Sequence, residues 1–318
     1  MKRDILLLVC VSLNLIAYSG DYTHGMFGQK KESFPTVAET SMPSQVLNLT
    51  NWKLNVPVAG SNGWSQEIKQ PELATYQHSE YFHVSSNGNA VVFKAPVEGI
   101  TTSGSKYPRS ELREMTNGGR AKADWDIAAG SGIHTMEITQ AVTHLPDHKP
   151  HVVVGQIHDA DNDVIVFRLE GKKLWIDHNG TKSTLLTDQY ELGTKFTVKF
   201  VAGNGKVDSY YNGQFAESYA TNAEHCFFKA GMYTQSNLTK GDVAGAYGEV
   251  EIYNVTITHD DDVPAGVISQ VTFGNSQSTN DNNVYDLSGR KIVNCKLPNC
   301  RLPKAVNIRQ GKKIVIKQ

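Results

Sequence analysis

Short stretches in which apolar and polar residues alternate, or in which three to five apolar residues run together, dominate the middle of the chain. Ala90-Val-Val-Phe93, Val152-Val-Val154, Val164-Ile-Val-Phe167, Phe196-Thr-Val-Lys-Phe200 and Val250-Glu-Ile-Tyr253 are of this kind. A period of two, or a short apolar run bounded by turns, is the pattern of a strand with one or both faces buried. Turn signals stand between them: Asn87-Gly88, Asn117-Gly118-Gly119, Asn179-Gly180, Asn204-Gly205 and Asn212-Gly213. Helical periodicity is scarce, and only Gln70 to Tyr76 hints at a short helix. Many short strands with tight turns predict an all-β antiparallel sandwich or jelly roll over residues 44–258.

The two ends follow other patterns. Lys2 and Arg3 precede a mostly apolar run from Ile5 to Ile16, and Ala17-Tyr18-Ser19 fits a small-x-small cleavage pattern before Gly20. Residues 1–19 are therefore read as a signal peptide, which predicts a secreted protein working outside the cell, at its surface or in a periplasm. A transmembrane helix needs about 20 apolar residues, and no other stretch reaches that, so no membrane span is predicted. Residues 20–43 and 259–282 lack periodicity and read as linkers. The last segment, 283–318, carries nine Lys or Arg against one acid, Asp286, a net +8. Its Val284-Tyr-Asp-Leu287 and Ile308–Ile316 stretches predict a small basic β module, which is similar to C-terminal sorting modules of type IX secretion.

Composition narrows the class. The formal net charge of −1 over 318 residues gives no bulk attraction to nucleic acid or anionic membranes, so any anion site must be a local cluster. After the leader, Cys226, Cys295 and Cys300 remain, with no Cys-x-x-Cys pair to suggest zinc or redox chemistry. Cys295 and Cys300 could bridge locally in an oxidising compartment, whereas Cys226 reads as a buried free thiol.

Three strands concentrate chemistry on one face, because alternate side chains of a strand point the same way. In Arg109-Ser-Glu-Leu-Arg113 these are Arg109, Glu111 and Arg113. In Val152–His158 they are Gln156 and His158, with Gly155 and Ile157 opposite. In Phe227–Gln235 they are Lys229, Gly231, Tyr233 and Gln235, with Phe228, Ala230 and Met232 turned to the core. Gly231 is expected to leave a gap on the polar face, since a mid-strand glycine often marks close approach. Taken singly, an exposed salt-bridge row explains the first strand, and a solvated histidine the second. Together they predict a basic groove with amide, imidazole and phenol groups, suited to an acidic, hydroxyl-rich polymer. No carboxylate pair stands out for glycoside hydrolysis. Glu111 and Glu114 fall on opposite faces of their strand, and Glu249 and Glu251 read as solvated. Asp159-x-Asp161-x-Asp163 with Glu170 matches calcium-loop spacing, but Val164 stands where the sharp turn needs glycine, so a polar hairpin loop is preferred.

Tyr107-Pro-Arg-Ser-Glu-Leu-Arg-Glu114, Gln156-Ile-His158 and Phe228-Lys-Ala-Gly-Met-Tyr-Thr-Gln235 resemble the three signature segments of the alginate lyases of polysaccharide lyase family 7. The resemblance extends to Leu47–Pro57 and Thr101–Ser105 and covers about residues 44–258. Phe227 and Met232 depart mildly from the family's pattern, where Tyr and Val or Ile are usual. The family implies a jelly roll of two antiparallel sheets, a concanavalin-like sandwich, with the groove on the concave sheet. It also implies β-elimination at 4-linked uronates of alginate, without cofactor or metal. By this resemblance Arg109, Gln156, His158 and Tyr233 are the catalytic residues, and Glu111, Arg113, Lys229 and Gln235 bind substrate. Arg109 and Gln156 neutralise the carboxylate, His158 is the base for guluronate, and Tyr233 is the acid and, for mannuronate, serves both roles; the face argument makes Lys229 and Arg113 its cationic neighbours. Ile157 is associated in the family with guluronate-containing blocks, and an open groove implies endolytic cleavage by a monomer. The rival expectations are a lyase of this fold acting on another polyuronate, such as glucuronan, or a non-catalytic binding jelly roll, which needs no paired His and Tyr.

Overall fold

The computed structural model describes residues 41–260 with their side chains, together with the backbone of two strands at 306–309 and 312–315. The signal peptide, the Cys295–Cys300 pairing and most of the linkers 20–43 and 259–282 fall outside these residues; where the linkers are described, Pro43 opens a helical turn and His259 closes a strand.

The strands of the main body follow one another as β1 (Trp52–Ala59), β2 (Ser65–Ile68), β3 (Phe82–Val84), β4 (Val91–Pro96), β5 (Arg109–Thr116), β6 (Ala121–Lys122), β7 (His134–His144), β8 (His151–His158), β9 (Asp163–Glu170), β10 (Lys173–His178), β11 (Thr181–Thr187), β12 (Phe196–Gly203), β13 (Lys206–Tyr211), β14 (Gln214–Ala220), β15 (Phe227–Thr234) and β16 (Tyr247–His259). They form two antiparallel sheets. One has the order β11-β10-β9-β8-β15-β5-β1-β2, with β6 beside β5; the other runs β14-β13-β12-β7-β16-β4-β3. This is a jelly roll. A 3-10 turn at Glu72–Thr75 occupies the stretch with helical character, and a single helical turn at Pro43–Val46 precedes β1. No helix among the described residues is long and apolar enough to cross a membrane. Near the C-terminus, β17 (Val306–Arg309) and β18 (Lys312–Val315) pair antiparallel with each other.

Local chemistry explains the hairpins. Asn179-Gly180, Asn204-Gly205 and Asn212-Gly213 join consecutive strands, and both residues of each pair have positive φ. That is the type I′ turn, whose twist matches that of the flanking strands and which Asn-Gly adopts at least cost.

The core lies between the sheets. Phe167 of β9 stacks on Phe200 of β12 with ring centroids 4.2 Å apart, and both are fully buried. Truncating either to alanine would cost about 3–5 kcal/mol. One irregularity in this packing bears on the site. Val152, Val154 and Ile157 of β8 all belong to the core cluster, so strict alternation would turn Gln156 inward with Val154. Gly155, at φ +150°, interrupts the ladder with both neighbouring strands and resets the alternation. A Cβ there would sit 3.0 Å from the Ile138 side chain. Val154 and Gly155 thus face inward in succession, and Gln156 and His158 emerge on the outer face. The Val154 carbonyl, at the break in the ladder, accepts a 2.8 Å hydrogen bond from Gln140 Nε2 of the opposing sheet.

Candidate active site

The strand order brings together what the sequence separates. β15 lies between β8 and β5, pairing Lys229 with Arg113 and with Gln156, and Tyr233 with Arg109 and Val153. Arg109, Arg113, Gln156, His158, Lys229 and Tyr233 line one open cavity of about 390 Å³. Six of the eight predicted site residues therefore meet there.

The other two do not reach it. Glu111 is 1% exposed and lies beneath the floor. Its carboxylate accepts from Arg109 Nη1 at 2.6 Å, Lys229 Nζ at 2.7 Å and Gln156 Nε2 at 2.5 Å. Glu111 is placed to organise the residues that would meet a substrate, and the side chains of Arg109, Lys229 and Gln156 close around its carboxylate. Gln235 stands past the end of β15, where Arg168 Nη1 donates to its Oε1 at 3.3 Å.

The electrostatics follow from this burial. Burial alone would raise the Glu111 carboxyl, but the charges of Lys229 and Arg109 and the hydrogen bonds from Lys229 and Gln156 override it and hold it at about 2. Burial, reinforced by Arg109, lowers the Lys229 ammonium to about 8 against the pull of Glu111. The floor thus carries two cations around a single carboxylate. Arg109 is 7% exposed, and its Nε has no hydrogen-bond partner. A guanidinium that lines the cavity with one nitrogen committed to Glu111 is suited to an incoming carboxylate.

Two aromatic rings set the ends of the cavity. Phe227 is sandwiched between the His158 ring, 5.2 Å away and 18° from parallel, and the Arg113 guanidinium at 3.9 Å. Arg113 therefore lies by Phe227, and the expectation that it neighbours Tyr233 is corrected: three residues of β5 separate it from Arg109. The cations by Tyr233 are Arg109, stacked on its ring at 3.8 Å, and Lys229, 5.9 Å from the ring centre. His158 Nδ1 lies 2.7 Å from the Asp159 carbonyl, which can only accept, so Nδ1 carries the proton and Nε2 is left basic. Burial and the Lys229 charge lower the His158 pKa below that of an ordinary histidine. In the ladder His158 lies opposite Phe227 and Tyr233 opposite Val153, so their backbone positions are offset along β8 and both side chains enter the same cavity.

Gly231 has a different reason from the expected gap. At φ +138°, a Cβ on it would lie 2.6 Å from the Ser110 carbonyl oxygen and 2.8 Å from Glu111 Cα. The glycine admits the close approach of β5, which places Arg109 beside Tyr233. Cys226 is a buried free thiol, as expected, and burial raises it to about 12. In the Asp159–Asp163 loop, Asp159 Oδ1 accepts from the backbone N–H groups of Asp161 and Asn162 and closes the turn on itself. No group of three potential metal ligands occurs among the described residues.

Several lining residues escaped the sequence reading. Lys53 and Asn55 enter from β1, Ser105 from the 102–105 loop, and Asp161 and Asp163 from the opposite loop. Alternation in Trp52-Lys-Leu-Asn-Val56 carries a signal for the first two, since Trp52, Leu54 and Val56 are buried and turn Lys53 and Asn55 outward.

Two antiparallel sheets in this order, with an Arg, Gln, His and Tyr converging on the cleft of one of them, are the frame of a polysaccharide lyase. The family model described as alginate lyase matches residues 47–259, and the chain belongs to the alginate lyases of polysaccharide lyase family 7. Among solved structures, the family 7 alginate lyase AlgAT5 is 56% identical with a TM-score of 0.67, the match covering 70% of this chain and 100% of that one. The alginate lyase from Corynebacterium sp. is 46% identical with a TM-score of 0.67, over 70% and 99% of the respective chains. An alginate lyase of Klebsiella pneumoniae is 29% identical over 295 residues, 71% of this chain and 94% of its own. The protein is an enzyme of this class, and its substrate is alginate.

Proposed function

We propose that this lyase cleaves guluronate-containing blocks of alginate endolytically, by β-elimination with separate base and acid, and that it does so after export, secreted or at the cell surface, as a monomer. The observation that carries the proposal is the protonation pattern of His158: Nδ1–H is committed to a backbone carbonyl, so Nε2 is available as a base in the cavity that Tyr233 also lines.

Arg109 and the second N–H of Gln156 receive the uronate carboxylate. Their positive field stabilises the enolate that develops when C5 loses its proton, as an oxyanion hole would. His158 Nε2 takes that proton, and the electron pair forms the C4–C5 double bond. The C4–O4 bond breaks and O4 receives the proton of Tyr233. Guluronate preference is supported by the presence of a separate base candidate, His158, beside Tyr233 in one cavity and by Ile157 between Gln156 and His158. Endolytic action is supported by the openness of the cleft, and export by the basic and apolar start of the chain.

Ultraviolet monitoring of unsaturated product on polyguluronate, polymannuronate and mixed alginate tests the reading. Tyr233→Phe is expected to lower kcat about 10²–10⁴-fold on all three while polymer binding persists. His158→Ala is expected to damage polyguluronate cleavage more than polymannuronate cleavage. Equal losses below about tenfold for Tyr233→Phe, matched by weaker binding, would reduce Tyr233 to a binding residue.

A further inference from the structure

The residue that holds the Tyr233 hydroxyl lies in none of the strands that build the floor. Ser105 Oγ is 2.9 Å from Tyr233 Oη, 3.0 Å from the Tyr107 carbonyl and 3.1 Å from the Tyr107 backbone nitrogen. A serine hydroxyl has one proton. The carbonyl can only accept, so that proton goes to Tyr107 O. The Tyr107 N–H then donates to Ser105 Oγ, and Tyr233 must donate to it as well. In the free enzyme the phenolic proton is therefore parked on Ser105. The rest of the phenol is also fixed. Arg109 covers one face at 3.8 Å, and the Tyr107 ring meets its edge at 6.3 Å and 70°. Tyr107 is itself tethered by Lys149 Nζ, 3.2 Å from its hydroxyl.

We propose that Ser105 is a positioning residue for the elimination: its hydroxyl aims the Tyr233 phenol while the proton is in place and solvates the phenolate once the proton has gone to O4. This rests on the reading of Tyr233 as the acid. Protons balance without a net contribution from Ser105. Tyr233 Oη–H turns from Ser105 to O4 and its O–H bond breaks as the O4–H bond forms. The Ser105 O–H then rotates from the Tyr107 carbonyl to the phenolate oxygen. The proton taken from C5 by His158 leaves to solvent, and Tyr233 is reprotonated from solvent after product departs. A hydroxyl that serves a phenolate stabilises the transition state more than bound substrate, so its loss falls on kcat.

The test compares Ser105→Ala, Ser105→Thr, Tyr233→Phe and the Ser105→Ala/Tyr233→Phe double variant on alginate. Ser105→Ala is expected to lower kcat by about 10- to 100-fold, the range for a hydrogen bond to a charged group, with KM within about twofold. Ser105→Thr keeps the hydroxyl and should run within about threefold of the wild type. The double variant should be no slower than Tyr233→Phe, because Ser105 acts through Tyr233. Should Ser105→Ala melt below the assay temperature, Ser105→Cys replaces it; its weak S–H donor predicts a slow enzyme beside a fast Thr variant. A loss confined to KM would reduce Ser105 to shaping its loop. A Thr variant as slow as Ala, or a double variant slower than Tyr233→Phe by the full Ser105→Ala factor, would also overturn the proposal. If Tyr233→Phe retains more than about a tenth of wild-type kcat, the acid assignment fails and takes this role with it. A failure of Ser105 alone leaves Tyr233→Phe inactive and Ser105→Ala fast.

Discussion

Glu111 and Glu114 stand three residues apart on β5, and each is 1% exposed. Their surroundings are opposite in character. Glu111 faces the cleft side and is held by Arg109, Lys229 and Gln156. Glu114 faces inward. Its Oε2 accepts from Trp125 Nε1 at 3.0 Å and from the Phe228 backbone N–H at 2.8 Å, and its Oε1 lies 2.6 Å from His259 Nε2. One carboxylate is surrounded by cations that would meet substrate. The other is surrounded by groups that hold β15, β16 and the Trp125 segment together. Equal burial on one strand thus says nothing about role. The role is set by what the carboxylate fixes: a charged floor in one case, a packing joint in the other.

The sharpest way to break the comparison is Glu111→Gln. The substitution is isosteric, and its amide oxygen can still accept from Arg109 Nη1 and Lys229 Nζ, but its NH₂ then points at Gln156 Nε2, itself a donor, and the charge that holds the two cations is gone. Removing one member of a buried ionic group leaves the rest uncompensated, at about 3–5 kcal/mol. Stability to urea is expected to fall by about that much, and kcat/KM on alginate by at least about 100-fold, because Arg109, Gln156 and Lys229 all lose their common anchor. A Glu111→Gln enzyme with wild-type stability and activity would show that the floor organises itself without the carboxylate.

A milder test uses pH. The Lys229 ammonium is lowered to about 8, so it is charged below that pH and lost above it. Glu111, held at about 2, stays ionised across the whole assay range. Depression of the His158 pKa keeps its base form dominant at neutral pH, and activity declines as pH falls below the ordinary histidine value. The expected kcat/KM profile is a plateau at neutral pH with an alkaline limb near 8, falling up to about tenfold per unit beyond it. Because Glu111 raises Lys229, the limb should move to lower pH in Glu111→Gln. An unmoved limb would assign it to another group. Glu111 also links pH to folding. Its pKa falls from 4.5 to about 2 on folding, so its contribution of about 3 kcal/mol is complete above 4.5 and disappears as pH falls through 2.

The same contrast shows what was legible in the sequence. Alternation in Arg109–Arg113 and Phe228–Gln235 correctly separated the polar face from the core face, and it put Glu111 and Glu114 on opposite sides. Depth was not legible: a period of two says which way Glu111 points and not that the side chains of Gln156 and Lys229 close over it. Strand order was not legible either, since β5, β8 and β15 are joined by long-range pairing that no local pattern records. For that reason Arg113 was assigned to Tyr233 when it stacks on Phe227, and Gln235 was assigned to a cleft that it does not line. The face of Gln156 and His158 was right by direct reading, yet it depends on the irregularity at Gly155 that keeps Val154 inside. Loop residues such as Ser105 have no periodicity to betray them. The resemblance to a known family named the four catalytic candidates, but it did not distinguish the substituent that touches substrate from the one that holds it.

The smallest effect is expected from Glu114→Gln. Its amide oxygen can still accept from Trp125 Nε1 and the Phe228 N–H, and its NH₂ can turn to His259 Nε2 in the tautomer that accepts. No buried donor is left unsatisfied, and what is lost is the charge on two hydrogen bonds and on the contact with His259. Charged hydrogen bonds are worth about twice neutral ones, so a loss of about 1–2 kcal/mol to urea unfolding is expected. None of Trp125, Phe228 and His259 lines the cleft. The kcat/KM of the folded enzyme should therefore stay within about twofold of the wild type, with an unmoved alkaline limb. A loss of activity comparable to that of Glu111→Gln, at unchanged stability, would mean that the core face of β5 tunes the cleft face through the strand, and the division between the two carboxylates would fall.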